Sequence, residues 1–154
     1  MVFILRQAVA ADRDWLWDTK TRCLRAYIEQ TYGAWDEDTQ SARFDATFIP
    51  EEIRIISVDG RDAGFTAVRH DPDVILLFNL MIAPEFQNRG LGTAVLRDLL
   101  AEAQARHLPV KLQVMKVNPA RHLYERVGFT ADPAEEIPTH YRMIWRPLAA
   151  GGGS

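Results

Sequence analysis

The chain has 154 residues, 47% of them apolar and 25% charged, with a formal net charge of −3. That length suits one domain with a proper core and hardly two, and the charge argues against a nucleic-acid footprint, which needs a clustered basic excess. No apolar run approaches the length of a membrane span, and the single cysteine, Cys23, rules out an internal disulfide and suits a reducing, cytoplasmic setting.

The opening run Met1 to Leu5 is short and lacks a basic leader or cleavage site, so it is not expected to be a signal peptide. Phe3 to Gln7 reads as a first strand. Asp12 is placed to cap a helix from Arg13, with Leu16, Cys23, Leu24, Tyr27 and Ile28 as an apolar stripe broken by Lys20. Tyr32 to Trp35, around Gly33, ends that helix, and Asp36 is placed to cap a short second one reaching Phe44. Ile53 to Val58 alternates as a strand and closes at Asp59-Gly60. Ala63 to His70 is its hairpin partner, and Asp71-Pro72-Asp73 turns the chain into Val74 to Ile82. This last run is so apolar that burial on both faces is expected.

Gln87-Asn88-Arg89-Gly90-Leu91-Gly92 comes next, ahead of a helix that places Leu91, Val95, Leu99 and Ala103 four residues apart with Ala94 and Leu96 beside them. Two glycines let the backbone turn tightly and gather N–H groups at a helix start, where the unpaired amides and the dipole favour phosphate. The stretch is not a P-loop, because GxxxxGK[ST] is missing. It is not a dinucleotide fingerprint either, because Val95 stands three residues after Gly92. Taken alone, a GxG is common, and the plain alternative is a glycine-lightened loop before an ordinary helix.

The helix should fray near Arg106-His107, and Pro109 precedes a strand from Val110 to Val117. Asn118 caps the next helix with Pro119 at its first position, and Gly128 stops it in a left-handed cap. Phe129 to Ala131 and His140 to Arg146 read as a closing pair of strands. Residues 149–154, ending Gly-Gly-Gly-Ser, read as an unstructured linker or expression scar outside a domain of residues 1–148. The four histidines are scattered and no cysteine pair exists, so no metal site is expected.

Met81 to Leu96 resembles the acetyl-CoA motif of the GNAT superfamily of N-acyltransferases, with Gln87, Gly90 and Gly92 at its defining positions. Asn118 to Phe129, about thirty residues further on, resembles the family's second signature. The two motifs cover roughly the C-terminal half of the chain. The resemblance implies an α/β (α+β) fold: a single GNAT-like domain whose mixed central sheet of about seven strands is flanked by about four helices. Strands 4 and 5 would be parallel and splayed, with the pantetheine arm of the coenzyme in the gap.

Further expectations follow from the same resemblance. The main chain of Leu80, Met81 and Ile82 would bond the arm, with an N–H of the Leu80–Met81 region facing the thioester oxygen. Gln87, Asn88, Arg89, Gly90, Leu91, Gly92 and Thr93 would hold the diphosphate. Asn118, Ala120 and Tyr124 would complete the cofactor site. Tyr124 would serve as general acid for the departing thiolate, its plainer alternative being a half-buried core tyrosine. Asn79 would position water. The base stays open among Glu29, Asp36, Glu37 and His140, each with an ordinary role as a solvated, capping or strand residue.

The implied reaction is direct transfer of acetyl from acetyl-CoA to a primary amine in a ternary complex. The first two helices and their loop carry Trp15, Trp17, Tyr27, Tyr32, Trp35 and Phe44. Glu29, Tyr32, Trp35 and His140 are the candidate acceptor contacts. Glu29, Asp36 and Glu37 would make a negative entrance, which favours a small cationic amine or a protein lysine or N-terminal amine. Two alternatives stay open: an acetyl-CoA-binding module without turnover, and an acyltransferase acting on a macromolecule such as aminoacyl-tRNA or a ribosomal protein. Nucleic acid is the less favoured partner, and a monomer or homodimer is expected.

Overall fold

The structure, a computed structural model, describes residues 2–149, so the expectation for the last five residues lies outside it. In chain order the elements are β1 (Ile4–Gln7), α1 (Arg13–Tyr32), α2 (Glu37–Thr47), β2 (Ile53–Val58), β3 (Arg61–His70), β4 (Ile75–Ile82), α3 (Leu91–Arg106), β5 (Val110–Met115), α4 (Arg121–Arg126), β6 (Thr130–Ala131) and β7 (His140–Trp145). Among the described residues seven strands form a mixed sheet in the order β1-β2-β3-β4-β5-β7-β6. By compactness the chain divides into two units, Met1–Ala67 with Asn79–Leu91, and Val68–Phe78 with Gly92–Ser154.

In the first unit β1 pairs antiparallel with β2 from Ile4↔Ser57 to Gln7↔Arg54. The β2–β3 hairpin turns at Asp59 and Gly60, whose φ values of 52° and 76° are the left-handed pair that a two-residue turn needs to match strand twist. A bulge between Ile56 and Ser57 interrupts the expected alternation and leaves Ile55 and Ile56 both buried. Leu16, Phe44, Ile55, Phe65 and Met81 form the core, with Trp17, Cys23 and Leu24 packed against it.

Asp12 does not cap α1 with its side chain. It accepts from the Val9 amide at 2.9 Å and from Arg6 at 3.1 Å, closing a 3-10 turn ahead of the helix. Gly33, at φ 96°, ends α1 as expected, its N–H bonding Glu29 O at 2.9 Å. The second helix continues past Phe44 to Thr47.

In the second unit β4 and β5 pair in parallel through Ile75↔Val110 and Leu76↔Lys111. β5 then pairs antiparallel with β7 from Val110↔Trp145 to Met115↔His140. The apolar run of β4 is not buried on both faces: Ile75, Leu77 and Met81 are buried, whereas Phe78 is 47% exposed. Phe78 is covered instead by a cation, the Arg69 guanidinium lying 4.9 Å from its ring centre.

On α3 the buried stripe is Leu91, Val95, Leu96, Leu100 and Ala103, and Leu99 is only half-buried. A strict four-residue spacing advances about 40° past a full turn at each step, so the face drifts from Leu99 to Leu100. β5 ends at Met115, before Lys116 and Val117, and α4 begins at Arg121, two residues later than the Asn118 cap implies. Gly128, at φ 109°, stops α4 as expected: Phe129 N reaches back to Tyr124 O at 3.0 Å, and Gly128 N to Glu125 O at 3.1 Å.

Candidate functional site

The glycine loop is built from the end of β4 outward. A 3-10 turn over Pro84–Phe86 closes with the Gln87 amide donating to Pro84 O at 3.2 Å. The Gln87 side chain then reaches back, Nε2 donating to Ile82 O at 2.9 Å. Asn88 and Gly90 take left-handed φ values of 63° and 80°, one on each side of Arg89. These left-handed residues bend the main chain sharply on both sides of Arg89, and the chain then enters α3. A Cβ at Gly90 would meet nothing within 4 Å, so this side of the loop is open.

A cavity of about 370 Å³ adjoins the loop, lined by Val2, Val58, Asp59, Phe86, Arg89 and Leu91. The guanidinium groups of Arg61 and Arg89 lie 4.9 and 5.6 Å from the Phe86 ring centre. Sequence reasoning reached Arg89 and Leu91 but missed Val58, Asp59 and Phe86. The first two come from the β2–β3 hairpin, nearly thirty residues upstream, and no local motif marks them.

Main-chain direction on β4 separates the residues expected to bond the coenzyme arm. Ala83 N bonds Ala63 O at 2.8 Å, and a Cβ on Gly64 would collide with the Met81 carbonyl. Met81 therefore turns its main chain toward β3, and by strand alternation Leu80 and Ile82 turn theirs to the opposite edge. The Ile82 carbonyl has two donors already, Gln87 Nε2 and the Cys23 thiol at 3.2 Å. Burial pushes that thiol up to about 11, so Cys23 is a hydrogen-bond donor here and no nucleophile. Asn79, also on β4, is half-buried and its side chain makes no hydrogen bond among the described residues.

In the second unit Asn118 Oδ1 accepts from Ala120 N at 2.9 Å, which gives the Ala120 amide a protein partner. Tyr124 sits on α4, its amide on Ala120 O at 3.3 Å and its ring buried edge-on to Phe129 at 5.7 Å between centres. Among the described residues its hydroxyl has no hydrogen-bond partner, and burial raises it to about 12. An ordinary thiol titrates near ~8.5, so full proton transfer from this phenol to a free thiolate runs uphill.

The candidate acceptor residues have their own partners. Glu29 accepts from Arg25 Nε at 2.8 Å, and the Arg25 guanidinium lies 5.4 Å from the Trp35 ring, so these three meet. Glu37 accepts from both Trp17 and Trp35 indole N–H groups, at 3.1 and 2.6 Å. The Thr39 hydroxyl donates to Asp36 at 2.6 Å and holds that carboxyl below the usual range, which makes it a poor base. Tyr32 is 61% exposed. On β7, His140 has Nδ1 2.8 Å from the Thr139 hydroxyl. Burial, reinforced by Arg142, holds His140 below its ordinary value, leaving a neutral imidazole at pH 7. Among the described residues no cluster of His, Cys, Asp and Glu is arranged to hold a metal ion, and no helix is long and apolar enough to cross a membrane.

Residues 13–129 match the model of the acetyltransferase (GNAT) family. Over 76 residues the chain is 37% identical to the [ribosomal protein bS18]-alanine N-acetyltransferase of Salmonella typhimurium, covering 48% of this chain and 51% of that one. The chain thus spans about half the length of the curated relatives it matches. Among solved structures, the PaiA N-acetyltransferase of Thermoplasma acidophilum in complex with coenzyme A superposes with a TM-score of 0.68 at 16% identity, over 95% of this chain and 99% of that one. The ribosomal-protein-S18-alanine N-acetyltransferase of Escherichia coli does so with a TM-score of 0.67 at 21% identity, over 97% of each. These likenesses show a common fold, with the parallel β4–β5 pair in a seven-stranded mixed sheet. The chain belongs to the GNAT acetyltransferase family.

Proposed function

We propose that this chain moves the acetyl group of acetyl-CoA to a primary amine, by direct attack in a ternary complex. The observation that carries the reading is the loop in which left-handed Asn88 and Gly90 flank Arg89 ahead of α3. The residues there fit the coenzyme: the loop is open at Gly90, its amides and Arg89 supply positive potential, and the helix start favours an anion. Gln87, Asn88, Arg89, Gly90, Leu91, Gly92 and Thr93 would hold the diphosphate. The main chain of Leu80, Met81 and Ile82 would hold the amide arm, with the N–H and C=O of Leu80 and the N–H of Ile82 on the edge away from β3. Asn118 supports this arrangement indirectly, by fixing the Ala120 turn from which α4 and Tyr124 follow.

When bound, acetyl-CoA supplies an activated acyl carbon. The roles left to the chain are three. A main-chain N–H of Leu80 or Ile82 would stabilise the carbonyl oxygen as charge develops there. Tyr124 would donate to the sulfur. Neutral His140 is the candidate base we favour: its Nδ1 meets the Thr139 hydroxyl, and its Nε2 has no hydrogen-bond partner among the described residues.

The acceptor we favour is a peptide or protein N-terminal amine. Its support is the name of the 37% identical relative; Glu29 is paired with Arg25, while Asp36 and Glu37 meet neutral donors and keep their charge, so a small cationic amine is the second reading. Residues 1–148 would act as the catalytic domain, in the cytoplasm, as monomer or homodimer. The test is thiol release on a panel of amines that includes alanine-terminated peptides, beside calorimetry with coenzyme A. Binding together with turnover on one amine class supports the reading, and no association with coenzyme A overturns it.

A further inference from the structure

A second cavity, between α1 and α2 in the first unit, has a composition that calls for a ligand. It measures about 360 Å³, its walls include Trp17, Trp35 and Phe44, its polar rim is Lys20, Arg43 and Gln40, and no Asp or Glu lines it. The two indoles stack with centres 5.9 Å apart, and both donate to Glu37. One carboxylate thereby fixes the two largest faces and is itself satisfied.

Lys20 is the unusual member. It is half-buried, its Nζ lies 5.5 Å from the Phe44 ring centre, and no carboxylate pairs with it among the described residues. Arg13, which lies over the same ring at 5.3 Å, shows the ordinary arrangement, since Asp45 accepts from it at 2.8 Å. Arg43 likewise has no ion-pair partner among the described residues. Burial pulls the Lys20 ammonium below its usual range, the mark of a charge whose desolvation is not compensated. An aromatic face offsets part of that cost, and an anion would offset far more.

We propose that this cavity binds an organic monocarboxylate with a flat aromatic body. The carboxylate meets Lys20 and Arg43, with the Gln40 amide as a further donor, and the ring lies against the Trp17–Trp35 pair and Phe44. Two cations and three aromatic surfaces favour this class over a cationic ligand, which like charges would repel, and over a bare inorganic anion, which would leave the walls unused. The inference does not depend on acetyl transfer, because coenzyme A takes no part in its test.

The full chain is titrated by calorimetry at pH 7 with three probes of one shape: 2-naphthoate, 2-naphthamide and 2-naphthylmethylamine. Naphthoate is expected to bind at least tenfold tighter than the amide, and the amine weakest. Lys20→Met should lower naphthoate affinity about tenfold and leave amide affinity unchanged, whereas Lys20→Arg should retain it. Arg43→Gln, an exposed change, gives the same readout should Lys20→Met fail to fold. Equal affinity for the three probes, no naphthoate binding at millimolar concentration, or indifference to both charge-removing variants would overturn the proposal.

Discussion

Gln87 Nε2 stands 2.9 Å from the carbonyl oxygen of Ile82, so the first defining residue of the glycine loop is tied to the last residue of β4. The bond fixes where the loop leaves the strand, and its donor is exposed. Gln87→Ala should therefore cost no more than about 1 kcal/mol of stability, the ordinary worth of an accessible hydrogen bond. The Ile82 carbonyl also retains the Cys23 thiol. The expected effect is on binding: coenzyme A affinity three- to tenfold weaker by calorimetry, with a urea midpoint almost unmoved. A large loss of stability with intact affinity would reverse these roles.

Tyr124 offers a cleaner division. Its hydroxyl has no protein partner among the described residues, so Tyr124→Phe removes no internal hydrogen bond, and the melting temperature should hold or rise slightly. If the phenol donates to the departing sulfur, the rate of thiol release should fall by about 10²–10⁴ at nearly constant coenzyme A affinity. An unaltered rate would return Tyr124 to the core as a packing residue.

Two glycines separate steric crowding from backbone strain. At Gly64 a Cβ would strike the Met81 carbonyl and stand 3.1 Å from Ile82 Cα, both main chain and unable to swing aside. Gly64→Ala should cost about 3 kcal/mol, the upper range of overpacking, read by urea denaturation. Gly90 faces open space, so Gly90→Ala meets only the penalty of its φ of 80°, about 1–2 kcal/mol. It should nevertheless weaken coenzyme A by tenfold or more, since the new methyl stands where a diphosphate would approach the loop.

Alkaline pH provides a thermodynamic test of burial. Tyr124 is raised to about 12 in the folded chain, against ~10 for an unfolded tyrosine. Between those values the unfolded state has lost the proton and the folded state keeps it, so stability falls as pH rises. The loss begins near ~10 and totals about 2–3 kcal/mol by the time pH reaches the folded value. Cys23, raised to about 11 by burial, adds a decline in the same direction starting from a lower pH. Denaturation midpoints measured from pH 8 to 11 should show this slope, and Tyr124→Phe should flatten its upper part.

Much of the fold was legible before any coordinates, because its signals are local. The Asp59-Gly60 turn, the Gly33 and Gly128 helix stops and the apolar β4 run each depend on a few neighbouring residues, and the structure places all of them where periodicity and turn chemistry indicate. The errors arose where a partner distant in the chain intervened. Asp12 is drawn from its cap position by Arg6 and the Val9 amide, and Phe78 is left exposed beneath Arg69. The partners of Glu29, Asp36 and Glu37 were out of reach for the same reason, since composition counts carboxylates but not the donors that meet them.

The sequence by itself determined the order of elements and the position of the glycine loop before α3, because strand alternation, helix period and glycine conformational freedom are properties of short segments. Only the tertiary structure decided that Met81 turns its main chain to β3, that the Ile82 carbonyl already has two donors, and that Lys20 sits among aromatic rings without a carboxylate partner among the described residues. Each of these depends on which residues far apart in the chain come within a few ångströms of one another, and long-range contact leaves no periodic trace in a single sequence.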